Sequence, residues 1–493
     1  MAGRAAREHL PKDRRATSRP SSSLAGMKKI RNVVAGGVCL LTVVNGVTGT
    51  SAAATPEPGL SWQDCGDGLQ CGSLAVPSDW AQPDQAPIAL GLAKLPATNS
   101  VGKRGVLVMD LGGPQAQISA FRQPAFQERF AELRQWFDLV IFDPRGFEAS
   151  SGISCPLPAP TEADYVFPDQ AAFDVYAEQN ARFGRECAST PLAGKLDSWQ
   201  VAHDLDAIRK GLGERKLNYF GNSYGTVYAQ AYAGLFPDRV GRMYLDSVMD
   251  HTNRSLRNWL GQRARANERS LHRFADWCAG QSSCALYGRD VLTVWDELVE
   301  RAEQQPIPGG GTTVSAEQIV ARADVSAERR WPAFATALAE AHAGDATKLA
   351  TKPAFPPDPS VMRIAVCADF PYPGDYQAVR AVETSLRSVA PRLGWRQAWI
   401  WAMNCARLPG NGTFPPQRHD FGRLPPVLVV GGEHDDNTPP EWGRHLAAQL
   451  PGARYLAADG DHAVYVDGNA CARAHVHRYL TTGQLPPKNA VCA

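Results

Sequence analysis

The sequence has almost no imbalance of charge. Lys and Arg total 51 against 50 Asp and Glu, a formal net charge of +1, so no long-range field gathers nucleic acid or an anionic membrane surface. It also lacks an apolar run long enough to cross a bilayer. The best stretch, Val33 to Val47, is broken by Asn45 and three glycines and falls short of the ~20 residues a spanning helix needs. No Cys or His set has zinc-ligand spacing, no glycine loop is built to cradle phosphate, and there is neither an internal repeat nor a coiled-coil heptad. The expectation is a neutral or locally recognised substrate, with no cofactor and no metal.

What is present is a chain of 493 residues with 44% hydrophobic content. That is enough for a large core, in one big domain with an insertion or in two smaller domains. Residues 1–26 are basic, polar and rich in Ser, Arg and Pro, without apolar periodicity, and are expected to be disordered. From Met27 the order changes to Lys28-Lys29-Ile30-Arg31, then the apolar run, then Ser51-Ala52-Ala53-Ala54. This is the layout of a secretory signal, with cleavage expected near Ala54 and Met27 a candidate start. Secretion to an extracellular location and no stable membrane association after cleavage follow. Eleven cysteines occur. With Cys39 inside the signal, ten remain in an exported chain and pair with near neighbours: Cys65 with Cys71, Cys155 with Cys187, Cys278 with Cys284, Cys367 with Cys405, and Cys471 with Cys492.

The pattern along the chain is that of an α/β fold. Cys71–Pro77 and Pro87–Leu95 read as an antiparallel edge. Gly105–Asp110 is a buried strand running into the backbone-rich loop Leu111-Gly112-Gly113-Pro114, and Phe137–Asp143 is another, closing on Pro144-Arg145-Gly146. A helix over Asp204–Leu212 precedes the strand Leu217–Phe220; a helix over Val227–Ala233 and a strand over Val240–Val248 follow. Alternation of this kind implies a mostly parallel sheet with helices on both faces. From about Thr252 to Gly422 the chain turns helical, interrupted by loops at Pro306–Gly311 and Pro353–Pro359. The sheet pattern resumes at Pro426–Asp435 and Ala453–Ala458, the latter read as the last strand, and a helix over Cys471–Leu480 closes the chain. The expected organisation is an extension and signal over 1–54, a sheet core over 55–250, an inserted helical lid over 251–422, and the rest of the core over 423–493.

Gly221-Asn222-Ser223-Tyr224-Gly225 sits where a strand passes into a helix. A G-x-S-x-G turn there lifts the serine Oγ above the sheet edge, although the five-residue pattern alone is a weak signal. A serine hydroxyl needs an adjacent base, and the base needs a carboxylate to fix its tautomer. Asp435 ends one strand and His462 follows the next, in the order Ser, Asp, His. Both then lie at the edge that presents Ser223. Glu433, His434 and Asp436 compete by proximity; the turn that begins at Asp435 favours that residue. The Tyr224 amide is one expected oxyanion donor, and Gly113, in the loop Gly112–Gln115, is the other.

Together, Gly221–Thr226, Phe142–Gly146, Phe236-Pro237-Asp238-Arg239-Val240, Asp435-x-x-Thr438-Pro439 and the tail from Gly460 to Cys492 resemble the secreted tripeptidyl aminopeptidase-like α/β-hydrolases, relatives of prolyl aminopeptidases. The resemblance runs from about Cys65 to the C-terminus. It implies a serine exopeptidase acting on peptides with a free N-terminus, in which Ser223, Asp435 and His462 match nucleophile, acid and base. Two stretches depart from the family pattern: Asp110 precedes the Gly-Gly-Pro core with Gln115-Ala116-Gln117 after it, and Phe147-Glu148-Ala149 follows Gly146. An aminopeptidase also needs a carboxylate for the substrate amine, for which Glu148, Asp369 and Glu186 are candidates. A monomer is expected. The alternative function is a secreted carboxylic ester hydrolase using the same triad.

Overall fold

The computed structural model describes residues 60–160, 166–350 and 360–493. The expected extension and signal over 1–54, with Met27 and Cys39, lie outside the described residues, as does the loop read at Pro353–Pro359. The strands are β1 (Gln63–Asp64), β2 (Gln70–Pro77), β3 (Pro87–Leu95), β4 (Val106–Asp110), β5 (Asp138–Phe142), β6 (Leu217–Asn222), β7 (Val240–Asp246), β8 (Ile307–Gly309), β9 (Thr312–Val314), β10 (Leu428–Gly432), β11 (Arg454–Ala458) and β12 (Val491–Cys492). Ten of them form one sheet in the order β1-β2-β3-β5-β4-β6-β7-β10-β11-β12. The β1–β2–β3–β5 pairings are antiparallel and those from β5 to β12 are parallel.

Side-chain alternation divides the core between the two faces of this sheet. Leu107, Met109, Leu139, Ile141, Phe220, Leu428 and Val430 pack on one side with Tyr465 and Tyr479. Val108, Val140, Tyr219, Met243, Val427 and Val429 pack on the other, continuous with the helices that precede and follow β6. Strands buried on both faces read as near-continuous apolar runs, which is why they stand out in the sequence.

Several elements differ from the expectation. The helix before β6 starts at Ser198, six residues early, because the Asp197 side chain accepts the Gln200 amide and caps it. The loop read at Pro306–Gly311 is a hairpin. β8 and β9 pair antiparallel through Gly310 and Gly311, both at positive φ, as a two-residue turn requires. Ala453–Ala458 is not the last strand either, since β12 pairs with β11 beyond it and extends the sheet by one edge. The five disulfides join the same neighbours as expected.

Between β7 and β10 the chain forms helices at Leu256–Gly280, Val291–Gln304, Trp331–His342, Ser360–Asp369, Tyr376–Arg387 and Gln397–Cys405, among others. A helix that precedes β6, Gln170–Cys187, packs with them. Its Tyr176 hydroxyl donates to Met403 O (2.8 Å) and its Asn180 Nδ2 to Ala406 O (2.8 Å). The helical layer therefore draws on chain from both sides of the elbow.

Arg145, from the Phe142–Gly146 motif, anchors the antiparallel edge to the helix before β6. Its guanidinium is fully buried and bidentate on Asp204, with Nε to Oδ2 at 2.7 Å and Nη2 to Oδ1 at 2.6 Å. The remaining donors reach Ser78 O, Pro77 O and Gln200 Oε1, and Trp80 Nε1 also donates to Asp204. Removing one member of such a pair strands a buried charge. Arg145→Met is expected to cost about 3–5 kcal/mol in denaturant unfolding, with part of the loss recovered by Asp204→Leu in the same chain. A loss under about 1 kcal/mol, the value of an exposed pair, would refute the anchoring role.

Candidate active site

β6 ends at Asn222, and Ser223 takes φ +52° before the helix Gly225–Leu235 begins. Its amide donates to Asp246 O at the end of the adjacent β7 (3.0 Å). The bend leaves no room for side chains around it. A Cβ on Gly225 would lie 2.5 Å from Asp110 O, and one on Gly112 would lie 2.7 Å from Ser223 Cβ and 2.9 Å from the Tyr224 nitrogen. The loop after β4 is thus packed directly against the elbow. Among the described residues, neither the Tyr224 nor the Gly113 amide donates to a protein acceptor, whereas the Gly112 amide is taken by Asp110 Oδ1 (2.8 Å). Two free donors next to a strained serine are what an oxyanion hole requires.

Asp435, one of the residues following β10, is 1% exposed. Its Oδ1 accepts the amides of Asn437 (2.9 Å) and Thr438 (2.8 Å), and its Oδ2 accepts the Thr438 hydroxyl (2.7 Å) and His462 Nδ1 (2.9 Å). Burial on its own raises the carboxyl pKa; the charge and hydrogen bond of His462 and the Thr438 donors outweigh it and hold the pKa below the ordinary value. Burial likewise pulls the His462 imidazole down, but the Asp435 charge and bond, with the Asp246 charge behind them, leave it above its ordinary value. With Nδ1 committed to Asp435, Nε2 is the free nitrogen. The competing residues are engaged elsewhere: His434 pairs with Asp459, Glu433 with Arg444, and Asp436 is buried, pushed to about 6 by desolvation and then by the charge of Asp435.

The loop bearing His462 is fixed from β7. Asp246 Oδ2 accepts the Tyr465 amide (2.8 Å) and Ser247 Oγ accepts the Ala463 amide (2.8 Å). Sequence reasoning missed this pair, having read Asp246 and Ser247 as a continuing strand. An Asp-Ser pair at the end of an apolar strand was the available signal. The helix Leu256–Gly280 adds a second brace, since Asn267 Nδ2 donates to Asp436 O (2.8 Å), Arg263 to Asn437 (2.6 Å), and Arg273 pairs with Asp461 (3.2 Å).

Residues 390–492 match the family model described as "TAP-like protein". The chain is 30% identical to a tripeptidyl aminopeptidase of Streptomyces lividans over 482 residues, covering 90% of this chain and 88% of that protein. It is also 30% identical to the serine protease Hip1 of Mycobacterium tuberculosis, covering 92% and 95%. The chain belongs to the tripeptidyl aminopeptidase-like family of α/β-hydrolases. It is a serine hydrolase. A further relative, a protein of Mycobacterium tuberculosis named carboxylesterase B, is 29% identical over 90% of this chain and 92% of its own length.

The three residues considered for the substrate amine are unlike in placement. Glu148 and Glu186 are exposed. Asp369 is fully buried and accepts the Ser198 amide (2.9 Å), the Ser198 hydroxyl and the Tyr224 hydroxyl (2.6 Å). Desolvation, then the charge of Asp197, push its carboxyl up to about 8. Asp369 is therefore a bond between the helix Ser360–Asp369 and the elbow of this hydrolase, with both oxygens already bonded inside the protein and none of its surface exposed. A histidine-selective NMR titration of the folded hydrolase should show His462 losing its proton as pH rises through a midpoint above the ordinary ~6.5. Asp435→Asn removes the charge that raises it and leaves the burial that lowers it, so the midpoint is expected to fall below ~6.5. An unmoved midpoint would break the assignment of the pair.

Proposed function

We propose that the hydrolase is an exported serine aminopeptidase that releases short peptides, di- or tripeptides, from free N-termini through an acyl-enzyme, and that it works as a monomer. The observation that carries this is the hydrogen bond from half-buried His462 to buried Asp435 at the sheet edge that also presents Ser223. Neutral His462 takes the Ser223 proton at Nε2 as Oγ attacks the scissile carbonyl, and Asp435 stabilises the imidazolium that results. The Tyr224 and Gly113 amides receive the oxyanion. The imidazolium then protonates the leaving amine, and a water activated by the same nitrogen releases the acyl group. Two of the relatives bear the names tripeptidyl aminopeptidase and serine protease, which supports a peptide substrate. Export is supported by five disulfides and by the basic, apolar and small-residue order of Met27 to Ala54. No described helix is long and apolar enough to cross a membrane.

The second reading is a carboxylic ester hydrolase with the same triad, favoured by the relative named carboxylesterase B. Matched peptides with free and acetylated N-termini, digested and read by mass, separate the two. Release of di- or tripeptides from the free peptides alone is expected; cleavage of p-nitrophenyl esters with neither peptide touched would replace the first reading with the second. Ser223→Ala should fold and lose turnover and fluorophosphonate labelling together, and kcat/KM of the parent should rise with pH as His462 deprotonates. Substantial residual turnover in Ser223→Ala would place the nucleophile elsewhere.

A further inference from the structure

The stretch Gln115-Ala116-Gln117 contains a side chain whose every hydrogen-bonding atom is spent on the loop packed against the elbow. Gln117 is 2% exposed. Its Nε2 donates to Gly112 O at 2.7 Å and to Gln115 O at 3.0 Å, and its Oε1 accepts the Leu111 amide at 3.3 Å. A primary amide offers two donor hydrogens and one acceptor oxygen. Here they bracket Gly113 and Pro114 from both sides. The backbone of Gln117 is itself fixed, its amide donating to the buried Asp143 Oδ1 at 2.6 Å, with the Ile118 amide beside it at 3.0 Å.

We propose that Gln117 is the positioning residue of the oxyanion loop, holding the Gly113 amide in register with the Tyr224 amide. This rests on the reading of Ser223 as nucleophile. Asp110 already consumes the Gly112 amide, so the donor the loop can offer at its Gly-Gly step is that of Gly113. The loop has little tolerance for movement toward the elbow, because Gly112 is already packed against Ser223 and Tyr224. Movement away from it lengthens the one hydrogen bond that forms only as charge develops on the substrate oxygen. Donors act on an oxyanion at about 2.7–3.1 Å, and a misplacement of ~1 Å can cost ~100-fold in rate. In a loop that runs Gly112-Gly113-Pro114-Gln115-Ala116, the restraint comes from a side chain reaching back, and Gln117 supplies it. It touches neither substrate nor Ser223 and acts through the backbone it binds.

The test is Gln117→Met, which keeps the side chain's length and removes its hydrogen bonds, assayed on the disulfide-intact mature chain. The probes are p-nitrophenyl butyrate turnover and the rate of fluorophosphonate labelling at Ser223, since the phosphonyl oxygen occupies the same hole. The expected result is a kcat about 10- to 100-fold lower with KM within about twofold, labelling slowed by the same factor, and unchanged folded fraction by circular dichroism. Should Gln117→Met not accumulate folded, Gln117→Glu keeps the atom count and places a carboxylate against two carbonyl oxygens. It is expected to show the same split between kcat and KM. A folded variant with kcat within about twofold of the parent would overturn the proposal, as would a loss of activity matched by a loss of folded protein. Failure of the parent to label at Ser223, with Ser223→Ala still active, would instead remove the nucleophile assignment and this inference with it.

Discussion

The sheet edge that carries Ser223, Asp435 and His462 depends on buried carboxyl groups that take up the backbone amides of irregular loops. Four of the parallel strands, β4, β5, β7 and β10, have an Asp at or just beyond their C-terminal ends. Asp110 accepts Gly112, Asp143 accepts Gln117, Ile118 and Ala149, Asp246 accepts Tyr465, and Asp435 accepts Asn437 and Thr438. All four are at most 1% exposed. A loop buried at a strand end carries amides that neither water nor a neighbouring strand can satisfy, and an unmade bond there costs ~1–3 kcal/mol. The carboxylates meet that demand and, because each bond is directional, fix where the loop runs. Asp435 differs from the others by also bonding His462. A device used throughout the edge for loop geometry thus, at one position, also holds the imidazole of His462.

The electrostatic cost of this arrangement is visible. Burial pushes the Asp110 carboxyl up to about 8, helped by the charge of Asp143, and Asp246 up to about 6. Asp435 moves the opposite way because it hydrogen-bonds the His462 imidazole as well as feeling its charge, and takes the Thr438 donors besides, whereas Asp246 feels that charge without the bond. One sheet edge therefore holds carboxyls shifted in opposite directions, Asp110 and Asp246 up and Asp435 down. The helices above the edge contribute to the same geometry. Leu256–Gly280 contacts the residues after Asp435 and before His462, and Ser360–Asp369, stapled by the Cys367–Cys405 disulfide, reaches the elbow.

Much of the fold was legible because doubly buried parallel strands advertise themselves as short apolar runs, and because the elbow, the Asp435 turn and Gly460-Asp461-His462 fall at the ends of such runs. The pairing of Asp435 with His462 could be read from chain order, since one helix and one strand separate them, together with the turn that begins at Asp435 and sets it apart from Glu433, His434 and Asp436. What could not be read depends on contacts between distant segments. β12 is two residues long and exists only because β11 offers an edge. The β8–β9 hairpin hides a proline in a strand, which reads as a loop. Asp369 looked available for a substrate amine because nothing in its local sequence shows Ser198 and Tyr224 closing over it. Gln117 looked like a departure at the oxyanion loop for the same reason: its partners are carbonyls, which the sequence does not distinguish.

Tyr224 gives the fold a property that neither of its parts has alone. Its amide donates to no protein acceptor among the described residues, while its hydroxyl is bound to Asp369, at the end of a helix that arrives more than a hundred residues later in the chain. The helical layer is consequently not an interchangeable module that could be swapped to change what enters while the reacting edge stays untouched. Any exchange would have to carry a partner for that phenol with it.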